Sequence, residues 1–459
     1  MEKKKILIIT YYWPPAGGPG VQRWLKFAKY LPEFGWEPII YTPENPSYPL
    51  LDESLLKDVP RDLKIVKTTI WEPYQLAEKL NKSNKKFKAG QFDVGKNQSW
   101  KSKLSIWVRG NFFIPDARVF WVKPSVKFIE HYLKENKIDT VVTSGPPHSL
   151  HLIGLQLKKK IPTLKWIADF RDPWTEISYY KHLKLTKRSD QKHRKLESDV
   201  FKNADITLAT SYTDAENFRK NGANAVCITN GFDESDSTEK VKKQKGEKAG
   251  WTDGEFVKSQ NPETADSQTL KSSNPQTHFT LSYIGVLEQL RNPENLWKVL
   301  DHLVQTNSDF AQHFSLKFAG RVDDKILEAL NGSSLKNHIL DLGYISHDKA
   351  IEEMQTSDIL LITNFPNESS KGIIPGKIFE YLATGKQIIS FGPDKADVSK
   401  ILEDTYAGKH FSYEDFDAVQ SFIVQKFELW KKGNLLENTQ NIEQFSRRNL
   451  TKKLSEILG

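Results

Sequence analysis

Residues 371–391 read KGIIPGKIFEYLATGKQIISF. A loop, KGIIPG, leads into a helix-period run with Ile378, Tyr381 and Leu382 on one face. Gly385 stops that run, and QIISF follows as a short buried strand. The loop carries a cation, two glycines and a proline, and the helix carries the acid Glu380. Glycine lets backbone N–H groups approach an anion closely, and a helix start favours negative charge. A carboxylate further along the helix is suited to sugar hydroxyls, as acids are to ribose in dinucleotide folds. Two readings stand side by side. One is a nucleotide site with the diphosphate at the loop, beside Lys377, and the ribose at Glu380. The other is a loop–helix–strand unit with a surface acid and a surface lysine.

The N-terminus repeats the pattern. KILIITYYW is a near-continuously apolar strand, as expected in the middle of a parallel sheet. PPAGGPGVQR leaves it, a helix with Val21, Trp24, Leu25, Ala28 and Leu31 on one face runs to Gly35, and WEPIIYT is the next strand. This β-loop-α-β unit is the repeating piece of a doubly wound fold. Gly18 and Gly20 fit a phosphate or sugar cradle, or a tight turn with no ligand; the spacing is not that of the dinucleotide fingerprint. Two later strands end in TSGPPHS and ADFRDPW. Ligands of open α/β sheets sit beyond the carboxyl ends of strands, so His148, Asp169, Arg171 and Asp172 are candidate site residues. Alternatively Asp169 and Arg171 are structural partners and His148 is a loop residue. Further helix starts are expected at Pro124, at Ser149 as a cap, and at Thr213 with Glu216 in capping-box spacing. After residue 277 the alternation restarts with FTLSYIG, and Asn292 is expected to cap a helix with Pro293 at its first position. That would put Arg291 at a helix N-terminus, where a diphosphate can be met.

The stretch PGKIFEYLATGK resembles the donor-binding motif of the retaining family 4 glycosyltransferases. In that family two acids sit about eight positions apart, the second binding the donor ribose. Glu380 matches the second, while Gly372 stands where the first would be. Gly20-Val21-Gln22 is similar to the family's N-terminal glycine loop, with Pro19 at a position where glycine is common. Arg171 stands where the family has a histidine, and Val286 where it has an arginine; Arg291 resembles its later phosphate-facing lysine. The resemblance implies an α/β protein of two Rossmann-like doubly wound domains facing a cleft, the GT-B fold. It places the acceptor side at 1–230, a polar insert at 231–277, a nucleotide-sugar domain at 278–440 and a final helix at 441–459 that returns to the first domain. It also implies a nucleoside-diphosphate sugar as co-substrate with no metal or other cofactor. The donor would be held by Gly18, Gly20, Arg291, Lys377, Glu380 and the loop N–H groups around Gly372 and Ile374. The acceptor would be a glycan or a lipid-linked glycan of the cell surface. Two rivals share features with it: a sugar-nucleotide epimerase of the same fold, and a non-catalytic nucleotide-binding scaffold.

Bulk properties bound these expectations. The 459 residues call for more than one domain. No run of 18 or more apolar residues is present, so no membrane span is expected. The basic-then-apolar start MEKKKILIIT breaks at Pro14-Pro15 without a cleavage site and reads as a first strand, not a leader. The single cysteine, Cys227, sits in a strand-like AVCITN and fits a cytoplasmic protein without an internal disulfide. A net charge of +8 attracts polyanions. The lysine clusters at 82–88 and 157–160 do not interleave with aromatics, which argues against nucleic acid. The first cluster, near WVRGNFFIP, could rest on an anionic membrane surface at the inner membrane face, or be a solvated loop.

Overall fold

The computed structural model describes residues 3–73, 100–177, 180–233, 278–435 and 439–459. The insert expected from Glu234 and the lysine cluster at 82–88 lie outside them. The chain divides into two compact units, Met1–Gly231 joined by Gln444–Gly459, and Phe232–Glu443.

The first unit is built on a parallel sheet of β1 (Lys4–Thr10), β2 (Trp36–Pro43), β3 (Lys64–Thr68), β4 (Thr140–Gly145), β5 (Lys165–Phe170), β6 (Ile206–Ala209) and β7 (Ala225–Cys227). Their spatial order is β3-β2-β1-β4-β5-β6-β7. Alternate side chains of β1 serve opposite faces: Leu7 and Ile9, with Tyr11 just past the strand, join one buried cluster, Ile6 and Ile8 the other. That is why this strand is apolar throughout instead of alternating. The connections include α1 (Pro19–Tyr30), α2 (Trp100–Phe112), α3 (Val119–Asn136), α4 (Ser149–Lys160), α5 (Lys187–Asn203) and α6 (Tyr212–Lys220). Cys227 is buried at the end of β7 and takes part in no disulfide.

The second unit repeats the plan with β8 (Phe279–Ile284), β9 (Phe314–Ala319), β10 (Ile339–Asp341), β11 (Ile359–Thr363), β12 (Gln387–Phe391) and β13 (Gly408–Phe411). Their order, β10-β9-β8-β11-β12-β13, is again parallel throughout. The helices here are α7 (Glu294–Thr306), α8 (Ser308–His313), α9 (Asp324–Asn331), α10 (His347–Thr356), α11 (Lys377–Thr384), α12 (Asp397–Thr405) and α13 (Phe416–Lys431). In each unit the first strand lies where the order reverses, the place at which such sheets bind ligands. The last helix, α14 (Arg447–Leu458), belongs to the first unit. Its Leu450, Leu454 and Leu458 join the cluster with Leu25 and Leu31 of the α1 side, each burial contributing about 1.5–3 kcal/mol.

Several helix starts differ from the sequence reading. His148, not Ser149, is the N-cap of α4, and the carboxylate of Asp116 takes the Ser149 backbone N–H at 2.9 Å in place of a local cap. Ser211, not Thr213, caps α6. Helix α7 starts at Glu294, one residue later than expected, because the Asn292 side chain accepts from Trp297 Nε1 at 2.6 Å. Helix α3 begins at Val119 and runs through Pro124, with Trp121 and Val122 buried in its first turns. Gly385 ends α11 where the sequence put its stop, and the Ser346 side chain caps α10. Among the described residues no helix is long and apolar enough to cross a membrane.

Candidate functional site

In the second unit, the cations singled out in the sequence gather beyond β8. The Lys377 ammonium donates to the Ile284 carbonyl at 3.2 Å and lies 4.0 Å from the centroid of the Tyr283 ring. It also lies 3.6 Å from where a Cβ on Gly285 would be. Gly285 has φ +123°, and a Cβ on neighbouring Gly320 would come 2.2 Å from its carbonyl oxygen, so both turns need glycine. Arg291 donates through Nη2 to the Val286 carbonyl at 2.7 Å, and Tyr283 donates to the same oxygen at 2.8 Å. The Arg291 guanidinium packs over Phe365 at 5.7 Å. Its backbone carbonyl accepts from Tyr413 at 3.2 Å. Burial first, and then the charge of Arg291, pull the Lys377 pKa down to about 7, with Glu380 pushing it back up.

Helix α11 starts beside this pair with no side-chain cap. Its first-turn N–H groups are those that ordinarily meet an anion. Glu380 lies in that first turn on the exposed face. Gly372 and Ile374 sit on the loop before the helix, which is held by Asn364 Nδ2 donating to the Ile373 carbonyl at 2.8 Å. Asp397 N also donates to the Lys371 carbonyl at 2.9 Å. Two cations, an uncapped helix start and a carboxylate one turn along make a place suited to a diphosphate with a polyol beside it.

In the first unit, Gly18 is the N-cap of α1 with φ +98°, a conformation that suits glycine. Gly20 lies against Arg171: a Cβ there would be 2.0 Å from Nη1. Arg171 donates through Nη2 to the Pro146 carbonyl, and its guanidinium faces the Tyr12 ring at 5.8 Å. Asp172, next along, is exposed.

Asp169 requires a correction as a catalytic candidate. It is fully buried, and its oxygens accept from Arg23 at 3.0 and 3.1 Å, Trp24 Nε1 at 2.7 Å and the Ser144 hydroxyl at 2.9 Å. Arg23 also donates to the carbonyls of Ile228 and Thr229. Asp169 therefore ties α1 to β4 and β5, and no oxygen is left to face a substrate. Its partner is Arg23, which the sequence reading did not single out, and not Arg171.

His148 is buried instead of lying on the loop surface. Its ring stacks on Trp174 at 5.1 Å and 5°, and neither nitrogen has a hydrogen-bond partner in the protein. It lines a pocket of about 150 Å³ together with Tyr12, Arg109, Asp116, Arg118, Tyr180 and His193. Behind it, His151 stacks on Phe170 at 4.2 Å, with Nδ1 3.0 Å from the Thr143 hydroxyl. A Cβ on Gly145 would lie 2.5 Å from His151 Nε2 and 3.2 Å from His148 Nδ1, so this glycine makes room for both rings. Burial holds His148 well below the usual histidine range and lowers His151 to about 3. The pocket wall contains a buried ion pair, Arg118 Nε to Glu72 at 2.9 Å, to which Tyr11 adds a hydrogen bond at 2.9 Å. Neither Arg118 nor Glu72 was flagged by the sequence. Among the described residues no group of three or more His, Cys, Asp or Glu is placed to hold a metal ion.

No family model matches the chain, and no curated protein matches it in sequence. In three dimensions it is similar to a trehalose-6-phosphate synthase, with a TM-score of 0.55 at 10% identity over 99% of each chain. It is similar also to a trehalose-6-phosphate protein of E. coli bound with UDP-2-fluoro glucose, at 0.54 and 10% over 99% of each chain. A UDP-GlcNAc 2-epimerase of Neisseria meningitidis bound to UDP-GlcNAc matches at 0.50 and 13%, again over 99% of each. The chain has the GT-B fold. At such low identities the likeness speaks for the fold alone, and the chemistry has to come from the residues.

Proposed function

We propose that this chain is a glycosyltransferase that moves a sugar from a nucleoside-diphosphate sugar to a glycan or lipid-linked acceptor, with retention of configuration, as in family 4. The observation that carries the reading is the pairing of Lys377 and Arg291 at the Gly285 turn, beside the uncapped start of α11. Arg291 has a long 3.7 Å contact with the half-exposed Glu288, and burial of Lys377 near it carries a cost that an anion between the two would relieve. Two of the similar structures are described as bound with UDP-2-fluoro glucose and with UDP-GlcNAc, which agrees with a nucleotide-sugar ligand.

In this reading the bond between the anomeric carbon and the diphosphate oxygen breaks, and the oxygen keeps the electron pair. Lys377, Arg291 and the α11 N–H groups stabilise that developing charge. Glu380 accepts from the ribose hydroxyls. The acceptor hydroxyl bonds to the anomeric carbon and gives up its proton. The N–H groups near Gly372 and Ile374 serve in the same unit as Glu380, and Gly18, Gly20, Arg171 and Asp172 are the candidate groups of the first unit. A peripheral site on an anionic membrane, for a cell-surface glycan, is supported by exposed aromatics of the first unit. Trp71 stacks edge-on to Phe120 at 4.7 Å and Trp107 to Phe112 at 5.6 Å, with Phe112 68% exposed.

Thermal unfolding with UDP, GDP, ADP and CDP, on the wild type and Glu380→Ala, tests the donor site. A ligand at about a hundred times its Kd stabilises by roughly 2.7 kcal/mol, a shift of several degrees. A shift with one nucleotide that is lost in the variant supports the reading, and no shift with any of them counts against it. Turnover of the sugar nucleotide without an acceptor would indicate the epimerase instead. A product of inverted configuration would remove retention.

A further inference from the structure

The run KHLKLTKRSDQKHRK, residues 181–195, carries seven cations against the single acid Asp190. Arg194 is spent on that acid at 3.1 Å and on Glu176 at 3.6 Å. Lys181, Lys184, Lys187, Arg188, Lys192 and Lys195 are all exposed. Among the described residues none of these six has an ion pair or a side-chain hydrogen bond. The cluster at 157–160 differs, since Lys158 is neutralised by Asp205 at 2.8 Å and Lys160 by Glu130 at 2.6 Å. Unpaired like charges so close together repel one another, and an outside polyanion relieves that repulsion. Helix α5 turns Ser189, His193, Glu197, Val200 and Phe201 inward, so Arg188, Lys192 and Lys195, at i, i+4 and i+7, stay on its outer side.

The cation row adjoins an apolar end. The Asn111 side chain accepts from the Thr186 N–H at 2.8 Å and donates to the Lys184 carbonyl at 3.3 Å. Ser189 donates to the Asn111 carbonyl at 3.5 Å, and His193 Nε2 lies 3.3 Å from the Gly110 carbonyl. These contacts seat the last turn of α2 on the first turns of α5. There Phe112 is exposed, Trp107 meets it edge to face, and Leu104, one turn earlier, is half exposed. A single-stranded nucleic acid binds flat ring faces on which successive bases stack. Trp107 and Phe112 cross at 67° and present no such platform. A bilayer offers what this face lacks on both counts, phosphates at its surface and an apolar layer just below. Lysine stems let the rings enter while the ammonium groups stay among the headgroups.

We infer that the end of α2 and the start of α5 form a docking face for an anionic phospholipid bilayer. Leu104, Trp107 and Phe112 enter the boundary between headgroups and acyl chains, and the six unpaired cations rest on the phosphates. This deepens the membrane part of the proposed function and rests on that part alone, so sugar transfer stands or falls separately.

The test is sedimentation of the full chain with vesicles of phosphatidylcholine, with and without phosphatidylglycerol. Wild type should bind the anionic vesicles, leave them as salt rises, and ignore the neutral ones. A cation near a charged membrane is worth about fivefold in partitioning, so Lys187→Gln/Arg188→Gln/Lys192→Gln should bind about a hundredfold more weakly. Phe112→Ser, which keeps every charge, should lose about tenfold. Removing three exposed lysines of the second unit, Lys325→Gln/Lys336→Gln/Lys432→Gln, should change binding by less than about twofold. No binding to anionic vesicles, equal binding to neutral ones, or an equal loss in the second-unit variant overturns the proposal. Unchanged binding in the triple variant or in Phe112→Ser does the same. So does a single-stranded RNA that binds more tightly than the vesicles and is lost with the same three cations. Circular dichroism checks the fold of each variant, and if one fails, the other and the lipid dependence of wild type still decide. The nucleotide-induced thermal shift should be equal in wild type and the triple variant. A nucleotide shift without vesicle binding sinks the docking face and leaves the transferase, and vesicle binding without any nucleotide shift does the reverse.

Discussion

Arg171 occupies the space that a side chain on Gly20 would need, with Nη1 only 2.0 Å from the position of a Cβ there. The obstacle is the far end of a flexible side chain, so Gly20→Ala is accommodated by moving the guanidinium away from the Pro146 carbonyl and the Tyr12 face. Position 20 lies inside α1, where alanine is better than glycine by about 0.5–1 kcal/mol. The melting temperature of Gly20→Ala should stay within about 2–4 °C of wild type. Sugar transfer should fall at least tenfold, as it should in Arg171→Ala. The double variant should be no worse than Arg171→Ala, since both act through one guanidinium; additive losses in steady-state rates would contradict this.

The buried pair of Arg23 and Asp169 makes a different prediction, about stability. Removing one partner strands the other charge in the interior, at a cost of about 3–5 kcal/mol. Asp169→Ala should therefore lower the urea midpoint of the first unit sharply. Replacing the pair together, Arg23→Met with Asp169→Leu, should restore much of the loss. An Asp169→Ala protein with unchanged urea unfolding, followed by circular dichroism, would show that the network contributes little.

Lys377 gives nucleotide binding a pH dependence. A diphosphate stabilises the ammonium form, so above the free pKa of about 7 each binding event takes up a proton. Affinity for UDP should drop by up to about tenfold per pH unit from 7 towards 9. Lys377→Met should bind more weakly at pH 7 and lose that slope. Calorimetry in two buffers of different ionisation enthalpy reads the proton uptake directly, and a wild-type profile flat from pH 7 to 9 would refute it.

Acid should destabilise the first unit through its buried histidines. His148 and His151 are kept neutral in the fold, whereas in the unfolded chain they titrate near 6.5. As pH falls below 6.5 the unfolded state binds protons that the folded state does not. Stability therefore declines by up to about 1.4 kcal/mol per pH unit for each ring, for His151 down to about pH 3. His151→Leu should show a shallower fall in melting temperature between pH 6.5 and 4.5 than wild type. Identical slopes would place the acid sensitivity elsewhere.

The fold was legible because each β-α step writes its own period: KILIIT and QIISF are short, largely apolar runs, and Gly385 ends its helix in a left-handed turn. The cations of the second unit were legible as residue types near loops, but the shared carbonyl of Val286 that fixes Arg291 was not, since it depends on how the turn after β8 closes. Asp169 misled because strand ends hold both ligand-facing and internal carboxylates. Which one it is depends on Arg23, an α1 residue whose approach local sequence does not encode. The signal available for the histidine pocket was Gly145 in TSGPPHS, a residue small enough to admit two rings. The Asp116 carboxylate at the start of α4 comes from a segment 33 positions earlier and left no local mark.

Helix α14 bears on how the protein comes to exist in the cell. Its leucines close the apolar face of α1, Arg448 reaches Glu33 at 2.6 Å, and Lys453 reaches the Cys227 carbonyl at 3.1 Å. These contacts join residues that precede the second unit in the chain to residues that follow it. The unit translated first is thus the one finished last. Until α14 is made, the apolar face of α1 that it covers stays open, a greasy seam on the growing chain.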